Sequence, residues 1–280
     1  MREIKAETIS QTITQLCKEA NFNLPEDVLS ALESALKREK TPRAQEIIKD
    51  LLENAAIAHR ERLPLCQDTG MAAVFLEIGQ EVMIVKGDLK EAINAGVRRG
   101  YREGYLRKSV VKDPLIRENT GDNTPAILHI GIVPGEKLKI TVFPKGFGSE
   151  NVSALTNLLP SQGKEGVKEF ILKTVKKSGA KGCPPLVVGV GLGGTMEKAA
   201  LLAKQALLRP LNSHHQDKHI AQLEEETLEE INQLGIGPQG LGGETTALGV
   251  NIETYPTHIA GLPVAVNISC HALRQARRVL

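Results

Sequence analysis

The hydrophobic period of this chain changes at Pro64, and that change constrains the fold more than any other feature. Before it, apolar residues recur at helical spacing. Ile9, Ile13, Leu16, Cys17 and Ala20 fall on one face of the segment from Ile4 to Phe22. Pro25 opens a second helix toward Lys40. Thr41-Pro42 supplies an N-cap and a first-turn proline for a third, running through Ile47, Leu51, Leu52, Ala55 and Ala58. After Pro64 the pattern alternates. Strands are predicted over 71–78, 81–86, 126–133, 137–142, 185–190, 246–253 and 263–268, with Pro134-Gly135 joining the third to the fourth. Helices are predicted over 89–101, 163–178, 195–208 and 217–234, and a short basic one over 272–279. No internal repeat is visible. The expected fold class is α/β (α+β): a helical N-terminal region over residues 1–60, then a mixed-sheet α/β region over 61–280 forming one compact unit.

Composition removes several function classes. A formal charge of +2 over 280 residues argues against nucleic acid or an anionic membrane as a partner. With no tryptophan, five phenylalanines and three tyrosines, stacking platforms for single strands are missing as well. No apolar run approaches the roughly 20 residues of a membrane span. The opening Met1-Arg2-Glu3-Ile4-Lys5-Ala6-Glu7 reads as a charged helix rather than a signal peptide. Four cysteines at this length do not make a disulfide framework. The expected location is the reducing cytoplasm.

Three of those cysteines stand in turn-prone contexts far apart: Cys66-Gln67-Asp68-Thr69-Gly70, Gly182-Cys183-Pro184-Pro185 and Ser269-Cys270-His271-Ala272. Cys17 instead lies on the apolar stripe of the first helix, where a thiol is core. Zinc and ferredoxin sites usually cluster their ligands. The residues alone therefore admit two readings, three unrelated thiols or three ligands of one metal site carried on loops. Gly189-Val190-Gly191-Leu192-Gly193-Gly194 fits G-x-G-x-x-G, but no acidic residue on a second strand follows it. These glycines read as tight helix–sheet packing rather than a nucleotide site.

Five motifs in order carry a resemblance. They are Cys66-Gln67-Asp68-Thr69-Gly70, Lys145-Gly146-Phe147-Gly148-Ser149-Glu150-Asn151, Cys183-Pro184-Pro185, Ile236-Gly237-Pro238-Gln239-Gly240-Leu241-Gly242-Gly243 and Cys270-His271-Ala272. Together they closely resemble the alpha subunit of the iron–sulfur (class I) fumarate hydratases, whose near relative is the alpha subunit of L-tartrate dehydratase. The resemblance implies a [4Fe–4S] cluster on Cys66, Cys183 and Cys270. One iron would be left without a protein ligand, as a Lewis acid for reversible hydration of fumarate to (S)-malate. It implies Asp68 as the proton-transfer residue, although Asp68 also suits an Asx turn. Substrate contacts would come from Gln67, Asp68, Arg107, Gly146, Ser149, Asn151 and His258.

The Gly146–Ser149 loop is expected to offer backbone N–H groups to a carboxylate, with Phe147 standing where relatives often carry glycine. His271 would orient its neighbour Cys270. Guanidinium forks match the carboxylates of a small dicarboxylate substrate, which is how Arg107 enters. The remaining catalytic groups of the family lie in a second region, so a separate fumarate hydratase beta subunit and an α2β2 assembly are expected. A non-catalytic alternative is a cysteine-bound structural metal module mediating subunit contact.

Overall fold

Strands and helices mix throughout the computed structural model, as the pattern after Pro64 predicts. All 280 residues are described. In chain order the elements are β1 (Arg2–Lys5), α1 (Ala6–Phe22), α2 (Glu26–Arg38), α3 (Pro42–Glu61), β2 (Met71–Gly79), β3 (Val82–Val85), α4 (Leu89–Glu103), β4 (Ile127–Val133) and β5 (Leu138–Lys145). There follow α5 (Phe147–Glu150), β6 (Ala154–Leu158), α6 (Gly163–Ser178), β7 (Leu186–Gly193), α7 (Met196–Ala206), α8 (Lys218–Gln233), β8 (Ala247–Tyr255), β9 (Leu262–Ser269) and β10 (Ala276–Val279).

These elements form two units, neither continuous in sequence. One comprises Met1–Leu24, Asn54–Phe147 and Arg274–Leu280, the other Pro25–Glu53 and Gly148–Leu273. The boundary expected near residue 60 is therefore not where the units divide, because α1 and α2 belong to different ones.

In the first unit the sheet order is β10-β5-β2-β4, with β2 and β4 parallel and the other pairs antiparallel. Alternation along β2 turns Ala72, Val74 and Leu76 into the core, against Ile9, Ile13 and Leu16 of α1 and Ile93 and Val97 of α4. Helices α1 and α4 touch almost backbone to backbone. A Cβ at Gly96 would lie 2.6 Å from the Ser10 carbonyl oxygen, and one at Gly100 would lie 2.7 Å from Cys17 Cβ. The Thr14 hydroxyl bonds the Gly96 carbonyl across this contact at 3.2 Å. Cys17 is thus the core thiol its position in the stripe predicts, fully buried.

Strands β4 and β5 are joined through Pro134-Gly135 as expected, with β2 lying between them in the sheet. Its end takes the hairpin's bonds, Gln80 N–H to the Val133 carbonyl at 2.9 Å and Glu81 N–H to the Gly135 carbonyl at 3.0 Å. One local expectation fails in this unit. The basic helix expected over 272–279 is instead β10, antiparallel to the otherwise open edge of β5. Four residues with little helical support gain more from a ready-made edge than from a nucleus they cannot propagate.

In the second unit the order is β6-β9-β7-β8, again with one parallel pair, β7 with β8. Strand β7 is covered on both faces and reads as a near-continuous apolar run. Leu186, Val188 and Val190 meet Val167, Ile171 and Leu223 of α6 and α8. On the opposite face a Cβ at Gly189 or Gly191 would strike the carbonyl oxygens of Ala203 and Ala199 at 2.2 and 2.0 Å. The G-x-G-x-x-G stretch therefore permits α7 to lie close on the sheet, as its sequence setting suggests.

A repeat that the sequence hides emerges from the topology. In each unit a central strand (β2, β7) is followed by a helical crossover to a parallel neighbour (β4, β8). An antiparallel strand (β5, β9) then returns to the central strand's other side. The fourth strand of each sheet is exchanged: β6 follows β5 but borders β9, and β10 follows β9 but borders β5.

Candidate active site

The repeat defines four equivalent turns, two entering the central strands and two leaving the returning strands. Because the returning strand is antiparallel, its exit lies beside the entry, as the pairs Met71–Lys145 and Val187–Ser269 show. Three of these turns carry the cysteines: Cys66 before β2, Cys183 before β7 and Cys270 after β9. The fourth, after β5, carries Gly146-Phe147-Gly148.

In the first unit the turn after Cys66 is heavily held. Gly70 adopts φ +74°, and any Cβ there would meet the Lys145 backbone at 2.6 Å, so only glycine lets β2 enter beside the end of β5. Tyr101 of α4 is buried and donates its hydroxyl to the carbonyls of Thr69 at 2.9 Å and Gly70 at 3.1 Å. Burial pushes its phenol well above the ordinary tyrosine range. Asn123 Nδ2 donates to the Gly70 carbonyl at 3.2 Å, while Asn123 Oδ1 accepts from Ser109 N–H at 2.6 Å. Thr69 Oγ1 donates to the Arg107 carbonyl at 3.2 Å. The segment carrying Arg107 is thereby fastened to the turn carrying Gln67 and Asp68. The guanidinium of Arg107 is exposed and has no ion-pair partner.

The half-buried Asp68 carboxylate does two things. Oδ1 accepts from Gly70 N–H at 3.1 Å, which is the Asx turn, and Oδ2 accepts from Phe147 N–H at 2.8 Å. The Phe147 N–H expected to face a substrate carboxylate is therefore already bound to the chain's own. Glycine at 146 follows from the same contact, since a Cβ there would sit 3.2 Å from Asp68 Oδ2. Arg274, only 3% exposed, donates from Nη2 to the Asp68 carbonyl oxygen.

In the second unit Cys183 and Cys270 come together. His271 N–H donates to the Cys183 carbonyl at 3.3 Å. Cys183 itself sits at φ +55°, a left-handed conformation that costs a non-glycine residue roughly 1–2 kcal/mol and must be imposed from outside. Gln239 helps impose it, donating both its backbone N–H (2.8 Å) and its side-chain Nε2 (2.9 Å) to the Pro184 carbonyl. The glycine-rich loop that presents Gln239 is anchored in turn by Glu39. This buried carboxylate accepts from Glu244 N–H at 2.9 Å and Thr245 N–H at 2.7 Å. A Cβ at Gly148 would approach the Lys181 carbonyl to 3.7 Å, and Ile268 N–H donates to Ser153 Oγ at 3.0 Å. The segment holding the buried Ser149 and the exposed Asn151 thus lies at the cysteine end of this sheet.

His258 does not. It precedes β9, whereas Cys270 follows it, so eight strand residues, or roughly 26 Å at 3.3 Å each, separate the two ends. His258 is exposed and lines a cavity of about 510 Å³ with Leu192, His219, Ile220 and Leu223.

No three His, Cys, Asp or Glu side chains surround a point as ligands of a single metal ion. A cubane asks for something else, one thiolate on each of three irons. The donor set suits that demand. Cys66, Cys183 and Cys270 are in no disulfide, partly exposed and on equivalent turns, while the fourth thiol is sealed in the core.

The family model described as fumarate hydratase (Fumerase) matches residues 10–279. The chain belongs to the fumarate hydratase family. Among its relatives is a Methanocaldococcus jannaschii protein with the provisional name L(+)-tartrate dehydratase subunit alpha. It is 47% identical over 278 residues, covering 96% of each chain. The L(+)-tartrate dehydratase subunits alpha of Escherichia coli K12 and Shigella sonnei are each 30% identical over 270 residues, covering 95% of this chain and 89% of theirs.

Within this fumarate hydratase family chain, the residues that escaped the sequence reading are those that act on backbone: Tyr101, Asn123, Arg274 and Glu39. Nothing local marks them. Arg274 stands in a run with Arg277 and Arg278, and only the fold buries it.

Proposed function

We propose that this chain is the cluster-bearing alpha subunit of a two-subunit hydro-lyase that removes water reversibly from a C4 hydroxy-dicarboxylate. Its [4Fe–4S] cluster would be held by Cys66, Cys183 and Cys270. The observation that carries the reading is the placement of three cysteines, none in a disulfide, on equivalent turns, with Asp68 two residues past one of them. When bound, the cluster supplies a Lewis-acidic iron that stabilises charge as the C–O bond breaks.

The chain's own residues supply the rest. Asp68 is held by its two N–H donors and by the grip on its carbonyl, so its carboxylate has a fixed direction in which to move a proton. Gln67, exposed beside it, donates to the substrate. The unpaired guanidinium of Arg107 binds a substrate carboxylate in a bidentate fork. Gly146 keeps the space over Asp68 open, and Ser149 and Asn151 border the cysteine end of the second unit. The partner is a separate beta subunit, in an α2β2 assembly in the cytoplasm. The names of the relatives, subunits alpha, support that reading.

Two substrates compete. Cys270-His271-Ala272 and Gly148-Ser149-Glu150-Asn151 follow the fumarase pattern, which favours fumarate and (S)-malate. The relatives' names favour L(+)-tartrate, which differs from malate by one hydroxyl. Anaerobic reconstitution with the beta subunit, followed by turnover of malate and of tartrate, separates them. Absence of iron and sulfide from the reconstituted protein, or turnover of neither diacid, rejects the proposal.

A further inference from the structure

We infer that Arg274 is a positioning residue for Asp68, a role distinct from substrate binding and resting on the hydro-lyase reading above. The guanidinium is 3% exposed, and its charge sits beside a turn that already has many bonds. Nη2 donates to the Asp68 carbonyl oxygen. The Nε and Nη1 donors, both buried, bond to nothing in the protein. A buried cation with unpaired donors is costly, and hydrophobic packing at the same place would be cheaper. The position therefore calls for what only this side chain does there.

What it does is geometric. A bond to the carbonyl of residue 68 fixes the peptide plane from which the Asp68 side chain departs. The Asx bond to Gly70 N–H and the Phe147 N–H bond then fix the carboxylate itself. Three restraints from three separate segments thus act on one residue: the turn itself, the exit of β5 and the stretch before β10. Lysine could keep the charge but not the rigid plane that carries Nη2 to the Asp68 carbonyl. Gly146 shows how tightly the pair is set. A Cβ there would lie 3.2 Å from Asp68 Oδ2 and 3.6 Å from Arg274 Nη2.

The test uses the complex reconstituted with its beta subunit and compares wild type with Arg274→Lys, Arg274→Met and the charge-loss control Arg278→Met, whose arginine is an exposed partner of Glu19. Arg274→Lys is expected to lower kcat about 100-fold, the order of loss from a displacement of about 1 Å at a reacting group. KM should move less than about threefold, and iron and sulfide content and melting temperature should stay at wild-type values. Amide exchange should quicken at residues 67–70 alone, a readout independent of turnover. In an Asp68→Asn background the Arg274 substitution should cost nothing further, because the two act as a unit.

Wild-type kcat and unchanged exchange in Arg274→Lys overturn the inference, as does an equal loss in both Asp68 backgrounds. If Arg274→Lys does not fold, Arg274→Met, which keeps the stem and removes the Nη2 donor, decides: kcat loss with faster exchange at 67–70 supports the inference, and wild-type behaviour overturns it. Full activity in Asp68→Asn, by contrast, rejects the hydro-lyase role of Asp68 itself, whatever Arg274 does.

Discussion

The backbone N–H of Phe147 donates to the Asp68 carboxylate at 2.8 Å. Residues 79 apart in sequence are joined where the sequence reading expects a binding loop for an external carboxylate. One N–H of that loop is thus part of the scaffold that aims Asp68.

Asp68→Asn should therefore affect both chemistry and structure. Asparagine has one carbonyl oxygen to offer where two N–H donors, from Gly70 and Phe147, each bond an oxygen. Turnover by the reconstituted complex should fall about 100-fold or more, the usual contribution of a positioned proton-transfer group. Steady-state kinetics with both diacids checks this, and a variant at wild-type rate contradicts it.

The four thiols should separate cleanly in a labelling experiment. In cluster-free protein, Cys66, Cys183 and Cys270 should alkylate at neutral pH, while Cys17 should stay unmodified until the chain unfolds. Burial pushes the Cys17 thiol from its ordinary 9.0 up to about 12. Between those values the unfolded thiol ionises and the folded one does not, so the unfolded state binds fewer protons. Stability from Cys17 is thus complete below pH 9.0 and declines as pH rises toward about 12. Cys17→Ser should cost about 1–2 kcal/mol in urea unfolding and should lack this alkaline decline at position 17. Mass mapping that finds Cys17 labelled early would contradict the assignment.

Glu39 offers a test of long-range support for a cysteine. It anchors the loop whose Gln239 grips the carbonyl next to Cys183. Glu39→Ala leaves two N–H groups without their acceptor, at about 1–3 kcal/mol of stability. It should also reduce iron bound on anaerobic reconstitution, although no metal ligand is altered. Wild-type iron content would show that the loop does not govern Cys183.

Gly191→Ala probes the glycine stretch. The added methyl would sit 2.0 Å from the Ala199 carbonyl oxygen, so α7 must shift off β7. Unfolding experiments should show a loss of at least about 1–3 kcal/mol, the cost of overpacking. If instead stability holds and a nicotinamide dinucleotide binds the wild type, the packing account of these glycines fails.

The helical lead-in, most later strands and the mixed α/β class could be read from period and punctuation, because amphipathic spacing and proline are local signals. α6 spans residues 163–178, as its pattern predicts, and Cys17 proved to be core. The candidate ligands were legible for another reason: the cysteines alone left two readings open, and five ordered motifs carried the resemblance that implies the ligand set.

Tertiary structure alone decided the rest. Whether β4 pairs with β5, or residues 276–279 form a helix or an edge strand, depends on which partner backbone is free, and that partner lies far off in the chain. The exchange of fourth strands hides the repeat for the same reason. It also takes folding to make Arg274 differ from Arg278, since a side chain's environment is assembled from segments that the sequence lists hundreds of residues apart.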